Sequence, residues 1–168
     1  MRHRITLIAV CALSLTGCFA APAAEQPGGR IKLAMLQPPR SGLTPFSDDA
    51  FKLSRWSTAE ALVTLDADGN ARPGLATGWR RVDDHTWEFT VRGGVTFHDG
   101  TALTAASVAN TLTRATAASP KPRILDGVEL TAAAEGDTVV VTTGTPDPLV
   151  PQRLSSPQLA ILAESAYR

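Results

Sequence analysis

Cysteine, aromatic side chains and net charge are all scarce in this sequence. Two cysteines among 168 residues are too few for a disulfide scaffold or a zinc ribbon. The 16 basic and 16 acidic side chains cancel, so the chain lacks the basic excess with which nucleic-acid-binding proteins displace counterions from phosphate. With 43% hydrophobic residues, the chain is instead long and apolar enough to fold as one modest domain.

The first residues carry an export signal. Arg2 and Arg4 precede a run over residues 5–13 that is apolar except for Thr6 and too short to cross a bilayer as a stable helix. This order of charge and apolarity is typical of a secretory signal peptide, which we place at residues 1–17. The folded protein is therefore expected in the periplasm or on the extracytoplasmic face of a membrane.

Two cleavage sites compete at the end of the signal. Leu15-Thr16-Gly17-Cys18 resembles a lipobox, at which bacterial lipoproteins are cut before a cysteine that then carries acyl chains. Several chains, each contributing about 0.8 kcal/mol per buried methylene, would anchor the protein to a membrane through Cys18. Ala21-Pro22-Ala23 is an ordinary A-x-A site, and cleavage there would release a soluble protein without Cys18.

The folded part is predicted to follow a tether. Residues 18–29 are rich in Ala, Pro and Gly and have no hydrophobic periodicity, which is typical of a flexible linker. Residues 30–36 alternate briefly and then become wholly apolar, a pattern that predicts a strand entering a buried sheet and ending before Pro38-Pro39. Residues 30–168 are therefore assigned to the folded domain.

Alternating and helical patterns share the rest of the chain. One hairpin is expected over residues 78–92, and a second pairs residues 128–134 with 138–143. Helical spacing of apolar residues predicts helices within 47–65 and over 104–116, the latter capped by Thr104, and a short Asp-capped helix is expected within 147–156. The fold class is therefore α+β, with mostly antiparallel hairpins and a few short helices.

Four sequence blocks between Glu60 and Arg114 resemble a known family. They resemble the extracytoplasmic solute-binding proteins of ABC importers, the family that carries peptides, nickel chelates and opines. The blocks are Glu60-Ala61-Leu62-Val63-Thr64-Leu65-Asp66 with Gly69; Pro73-Gly74-Leu75-Ala76 with Trp79; Thr86-Trp87-Glu88-Phe89-Thr90-Val91-Arg92; and Gly94-Val95-Thr96-Phe97-His98-Asp99-Gly100 followed by Leu103-Thr104-Ala105.

The resemblance implies a partial lobe. Its members have two lobes and several hundred residues, so this chain is expected to be the N-terminal part of a class II periplasmic-binding-protein lobe, either truncated or half of a split protein. The expected content is the opening strand of the first lobe and most of a small subdomain. Two departures from the family pattern, Ala102 for proline and Ser107 for an acidic residue, are expected to weaken the start of the 104–116 helix.

The resemblance also implies a function without covalent chemistry. The protein would be the solute-binding component of an ABC importer, acting in transmembrane transport with permease and ATPase components, and it would need no cofactor. By resemblance, Leu36, Gln37, Arg153, Ser155, Ser156 and Gln158 lie at one wall of the ligand cleft. Arg153 would pair with a carboxylate of the solute or remain solvated at a helix end. The alternative function is a surface lipoprotein that binds another protein and has no role in transport.

Other polar and aromatic residues are assigned structural roles. His98-Asp99-Gly100 is interpreted as a turn that closes the subdomain sheet, because no nucleophile with an adjacent base is present and the chain is not expected to be an enzyme. Asp66, Asp68 and Asn70 have the spacing of a calcium loop but lack its glycine and final glutamate, so we predict a hairpin turn and no metal site. Trp56, Trp79 and Trp87 are assigned to the core.

Overall fold

The computed structural model describes Lys32 and residues 34–167. The predicted signal peptide, Cys18 and the tether at residues 18–29 lie outside the described residues, as do Arg30, Ile31 and Leu33 of the predicted opening strand. Residues 34–36 form no strand, because none of the described strands pairs with them. Residues 37–168 form a compact unit of their own.

Two antiparallel sheets contain all six strands that the described residues form. Strands β1 (Val63–Leu65) and β2 (Ala71–Pro73) form a hairpin by themselves. The second sheet contains β3 (Ala76–Arg81), β4 (Thr86–Val91), β5 (Leu130–Glu135) and β6 (Thr138–Thr143) in the order β3-β4-β6-β5. Both predicted hairpins are present, and the α+β fold class is confirmed.

One face of the four-stranded sheet carries the core. Cross-strand pairing places Trp79 opposite Phe89 and Phe89 opposite Val139, so these side chains share a face. Helix α2 (Ala105–Ala117) packs on the same sheet through Val108 and Leu112, both almost completely buried. Removing Phe89 from water alone contributes about 1.5–3 kcal/mol. The predicted helix is therefore present and buries the side that its periodicity indicated.

The three tryptophans differ in their surroundings. Trp79 and Trp87 pack against the core, as predicted, and the Trp87 indole donates a hydrogen bond to the backbone oxygen of Asp147 at 3.1 Å. Trp56 is half-buried just past a short helix and is not part of the core. Its assignment to the core was wrong, because the helical spacing that suggested it does not continue into a long helix.

Helix α2 begins with a complete capping box. The Thr104 hydroxyl accepts a hydrogen bond from the Ser107 backbone N–H at 3.2 Å, and the Ser107 hydroxyl accepts one from the Thr104 backbone N–H at 3.0 Å. The expectation that Ser107 weakens this helix start was wrong. A serine hydroxyl satisfies the same orphan N–H group that an acidic side chain would satisfy.

The other two helices are shorter than predicted. Helix α1 spans Ala50–Arg55 only, and the end of the predicted 47–65 segment is strand β1. Phe51, the first residue of the supposed apolar face, is 54% exposed, so the spacing did not mark a buried side. Helix α3 covers Val150–Arg153, and the Asp147 carboxylate accepts a hydrogen bond from the Leu149 backbone N–H at its start.

The β1–β2 hairpin turns around Asp66. The Asp66 carboxylate accepts hydrogen bonds from the backbone N–H groups of Asp68 and Asn70 at 3.0 and 2.8 Å, and it pairs with the Arg72 guanidinium at 2.8 Å. These contacts hold the pKa of Asp66 below its usual value, the Asn70 N–H having the largest effect. The predicted hairpin turn is confirmed, and the Asp66 carboxylate stabilises this turn.

Gly74 joins the two sheets at a crossing of backbones. The Leu75 and Ala76 N–H groups donate to the backbone oxygens of Ala61 and Leu62 at 3.1 and 2.8 Å. A Cβ atom on Gly74 would lie 2.8 Å from both of these oxygens. Real Cβ atoms do not approach backbone oxygens so closely, so only glycine fits here without displacing one strand from the other.

Replacing Gly74 with alanine should therefore destabilise the fold. We expect Gly74→Ala to lower the free energy of unfolding by about 1–3 kcal/mol, the usual range for overpacking against atoms that cannot move. Gly78→Ala is the matched control, because Gly78 lies in β3 with open space around its Cβ position. Urea unfolding followed by circular dichroism measures both variants, and equal effects of the two would contradict the crossing as a packing constraint.

Candidate functional site

Two surface cavities share the loop that follows α1. The first has a volume of about 440 Å³ and is bounded by this loop, strand β1 and the segment after α3. The second has a volume of about 310 Å³ and lies between the same loop, the 95–103 turn region and residues 161–166. Both cavities are lined by Ser57, Ala59 and Glu60.

Backbone hydrogen bonds hold this shared loop in place. The Glu60 backbone oxygen accepts a hydrogen bond from the Ile161 N–H at 2.8 Å, which forms an isolated antiparallel bridge. The Thr58 N–H donates to the Leu53 oxygen at 3.1 Å, which closes the turn after α1. The Gly74 crossing holds the next two residues. The loop is therefore fixed on both sides of Ala59, and its side chains project from a rigid support.

Four of the six predicted binding residues lie at the end of α3 and in the segment that follows it. Ser155 lines the first cavity, and its hydroxyl donates to the Gln152 oxygen at 2.7 Å. The Ser156 hydroxyl accepts a hydrogen bond from the Gln158 N–H at 3.2 Å and caps a 3₁₀ turn at Pro157–Leu159. Gln37 is exposed, Leu36 is 99% exposed, and neither residue lines the first cavity.

Arg153 and Gln158 hold one residue between them. An Arg153 N–H group donates to the Ile124 oxygen at 3.0 Å, and the Gln158 side-chain oxygen accepts from the Ile124 N–H at 3.3 Å. Arg153 also pairs with Asp147 at 2.6 Å, with side chains only 26% and 11% exposed. Arg153 and Gln158 were predicted to contact a solute. They instead link the 3₁₀ turn at Arg123–Leu125 to the end of α3 and the segment after it. Arg123 itself is exposed.

A buried carboxylate organises the loop before α1. Asp49 is 1% exposed and accepts hydrogen bonds from the backbone N–H groups of Arg40 and Ser41, at 3.0 and 2.7 Å. It also pairs with Lys52 at 2.7 Å. The Lys52 ammonium and these N–H groups lower the pKa of Asp49 to about 2, so the carboxylate stays charged at neutral pH. This role was not predicted from the sequence, in which its only signal is an acidic residue directly before a helix.

The His98-Asp99-Gly100 segment is a turn, as predicted, but it closes an isolated bridge between Thr96 and Ala102 and not the four-stranded sheet. Asp99 accepts hydrogen bonds from the Thr101 hydroxyl at 2.6 Å and from the Ser165 hydroxyl at 2.5 Å. The Ser165 contact is the larger cause that lowers the pKa of Asp99 to about 2. The His98 ring lies 3.1 Å from the Thr58 oxygen. These side chains connect the turn to the C-terminal segment and to the shared loop.

Glu60 was not predicted as a site residue. Glu60 was noted only as the first residue of a family block, yet it lines both cavities and its side chain is exposed. Within the residues that the structure describes, its carboxylate forms no ion pair. The first cavity otherwise offers the hydroxyl groups of Ser54, Ser57, Thr64 and Ser155. This chemistry suits a polar solute held by hydrogen bonds and one negative charge.

The Arg153 contacts predict a structural effect of its removal. We expect Arg153→Gln to lower the free energy of unfolding by about 1–3 kcal/mol, because Asp147 and the Ile124 oxygen lose their donor in a half-buried place. Arg123→Gln is the control and should leave stability unchanged, since Arg123 is exposed. Thermal and urea unfolding measure both variants. An Arg153 variant as stable as the parent would show that the side chain is free to serve a solute instead.

The chain is similar to known proteins in both sequence and fold. Residues 70–167, more than half of the chain, match the model of the bacterial extracellular solute-binding proteins, family 5, middle region. The chain is 34% identical over 106 residues to the uncharacterized protein YhjP of Bacillus subtilis, covering 61% of this chain and 18% of that protein. It is 30% identical over 121 residues to the periplasmic murein peptide-binding protein MppA of Escherichia coli, covering 62% of this chain and 21% of MppA.

The fold comparison agrees with the sequence comparison. The crystal structure of a nickel ABC transporter protein from Bacillus halodurans aligns with a TM-score of 0.65 and 28% identity, over 73% of this chain and 26% of that one. The chain thus spans about a fifth of the length of the curated relatives that it matches. The four sequence blocks, the sheet topology and the family match lead to one conclusion: this chain belongs to the bacterial extracellular solute-binding proteins of family 5.

Proposed function

We propose that this chain contributes one wall of the solute site of an ABC importer's extracytoplasmic binding component. Family membership supports this function, and the observation that carries it is the first cavity, which is open to solvent and lined by Ser155 of the predicted binding segment. Its hydroxyl-rich lining can orient a polar solute without a nucleophile or a metal. Arg153 and Gln158, on either side of Ser155 in the chain, form hydrogen bonds with the backbone of Ile124.

The proposed solutes are short peptides or related small polar molecules such as nickel chelates and opines. One relative is named as a murein peptide-binding protein, and one similar structure is named as a nickel ABC transporter protein. Solute-binding proteins gain affinity by enclosing the ligand, and most of its surface must leave water. A single wall encloses little of it, so binding by this chain alone should be weak. The proposed partners are the permease and ATPase components of the importer.

The alternative predicted from the sequence, a surface lipoprotein that binds another protein, differs in its ligand. If the chain has this alternative function, small solutes should not bind at the first cavity. Titration of the chain with small solutes therefore distinguishes the two functions.

Solute binding is tested by titrating the ¹⁵N-labelled chain with a tripeptide, a nickel–histidine chelate and an opine, each to millimolar concentration. We expect at least one class to shift backbone amide signals of residues 153–160, with a dissociation constant weaker than about 0.1 mM, because one wall leaves most of the solute in water. A phenylalanine at position 155 would fill the cavity, so Ser155→Phe should abolish these shifts.

Thr131→Phe is the matched control, because Thr131 is an exposed residue of β5 that does not line the cavity. Its shifts should equal those of the parent chain. The proposal is contradicted if all three solute classes leave the amide signals of residues 153–160 in place. Micromolar affinity would also contradict it, since that would require an enclosed site.

We further propose export and lipid anchoring through Cys18, which lies outside the described residues. Expressed with its own leader in a bacterium, the parent chain should incorporate labelled palmitate and sediment with membranes. Cys18→Ala should remove the label and release the protein into the soluble extracytoplasmic fraction, because no cysteine remains at the lipobox. Cys11→Ala is the control and should keep both properties. Release of the unlabelled parent chain would favour the Ala21-Pro22-Ala23 site instead.

A further inference from the structure

The negative charges that line the two cavities come from carboxylates, whereas Lys52 and Arg55, in the last turn of α1, line neither cavity. Glu60 is the only charged side chain of the first cavity in the part of the chain that the structure describes. The second cavity adds Asp99 and His98, and neither cavity is lined by a described lysine or arginine. Asp99 lines only the second cavity, and its carboxylate already accepts hydrogen bonds from Thr101 and Ser165. Glu60 is therefore the carboxylate available to a ligand.

The position of Glu60 is fixed although its side chain is exposed. Its backbone oxygen accepts a hydrogen bond from the Ile161 N–H, and the backbone oxygen of the neighbouring Ala61 accepts one from the Leu75 N–H. The backbone that carries this carboxylate is therefore already ordered before a ligand binds. This lowers the entropic cost of binding. Ser57, Thr64 and Ser155 line the same cavity. The hydroxyl groups of Thr64 and Ser155 already donate their protons to backbone oxygens, so toward a ligand they can act as acceptors, which suits an N–H donor.

We propose that the first cavity binds the ammonium group of its solute, with Glu60 as the counter-charge. This inference rests on the proposed function as a solute-binding wall and names the chemical class of ligand: a molecule with a primary amine, such as a peptide with a free amino terminus. An anionic end would meet an unfavourable potential at the first cavity, because Glu60 is its only charged lining residue in the described part of the chain.

Three matched probes test this inference. Trialanine amide has a free ammonium group and no carboxylate, N-acetyl-trialanine amide is neutral, and N-acetyl-trialanine carries only a carboxylate. Amide shifts of the ¹⁵N-labelled chain report the affinity of each probe at the first cavity. We expect the ammonium probe to bind about three- to tenfold more tightly than the neutral probe, and the anionic probe to bind least.

Two variants assign the effect to one side chain. Glu60→Gln should reduce the affinity for the ammonium probe to that for the neutral probe and leave the affinity for the neutral probe unchanged. The backbone bond between Glu60 and Ile161 is kept in this variant, so the fold should persist. Glu135→Gln is the control, because Glu135 is an exposed carboxylate at the end of β5 that lines neither cavity.

The outcomes separate this inference from the proposed function. Equal binding of the three probes, stronger binding of the anionic probe, absence of shifts with the ammonium probe, or an unchanged affinity in Glu60→Gln would each overturn the role of Glu60. In the first two cases the wall still binds solutes, and the proposed function stands. If only the nickel chelate shifts residues 153–160, the inference fails and the solute-binding role is retained.

Discussion

The crossing of Gly74 over the backbone of Ala61 and Leu62 is the constraint on which the rest of this structure depends. It connects the small β1–β2 hairpin to the four-stranded sheet by two hydrogen bonds, and it tolerates no side chain. The same two residues continue directly from Glu60, so the crossing also fixes the loop that both cavities share. A backbone contact in the family's second sequence block thus determines the shape of the candidate site, although Gly74 does not line either cavity.

Several charged side chains in this fold form hydrogen bonds and ion pairs with other segments of the chain. The Asp49 carboxylate accepts hydrogen bonds from N–H groups of the loop before α1, and Asp99 accepts one from the Ser165 hydroxyl. Arg153 pairs with Asp147 and donates to the Ile124 oxygen. Each of these groups has lost much of its capacity to bind a solute, because its donors or acceptors are already engaged. The wall of the first cavity consequently relies on hydroxyl groups and on Glu60. This division explains how a binding surface can be rigid without presenting many charges.

Local patterns predicted those elements whose partners are close in the chain. The alternation around Trp87 and Phe89, the turn at Asp66 and the spacing of Val108 and Leu112 each contain their structural information within a few residues. The pattern over 47–65 misled, because strand β1 and the bridge at Glu60 are stabilised by distant segments that override a weak helical spacing. That residues 153–158 contact a solute remains a prediction, and the structure shows that Arg153 and Gln158 form hydrogen bonds with Ile124 within the fold. The placement of the signal peptide and of Cys18 remains a prediction.

By itself, the sequence determined the family, the hairpins and the helix capped at Thr104, since four ordered blocks and short-range periodicity carry that information. Only the tertiary structure decided which polar residues are free to bind. Arg153 and Gln158 meet Ile124 across 29 and 34 residues, and Glu60 meets Ile161 through a single bridge. Such long-range hydrogen bonds depend on how the segments pack, and no local pattern encodes whether a side chain will find its partner within the fold or in a ligand.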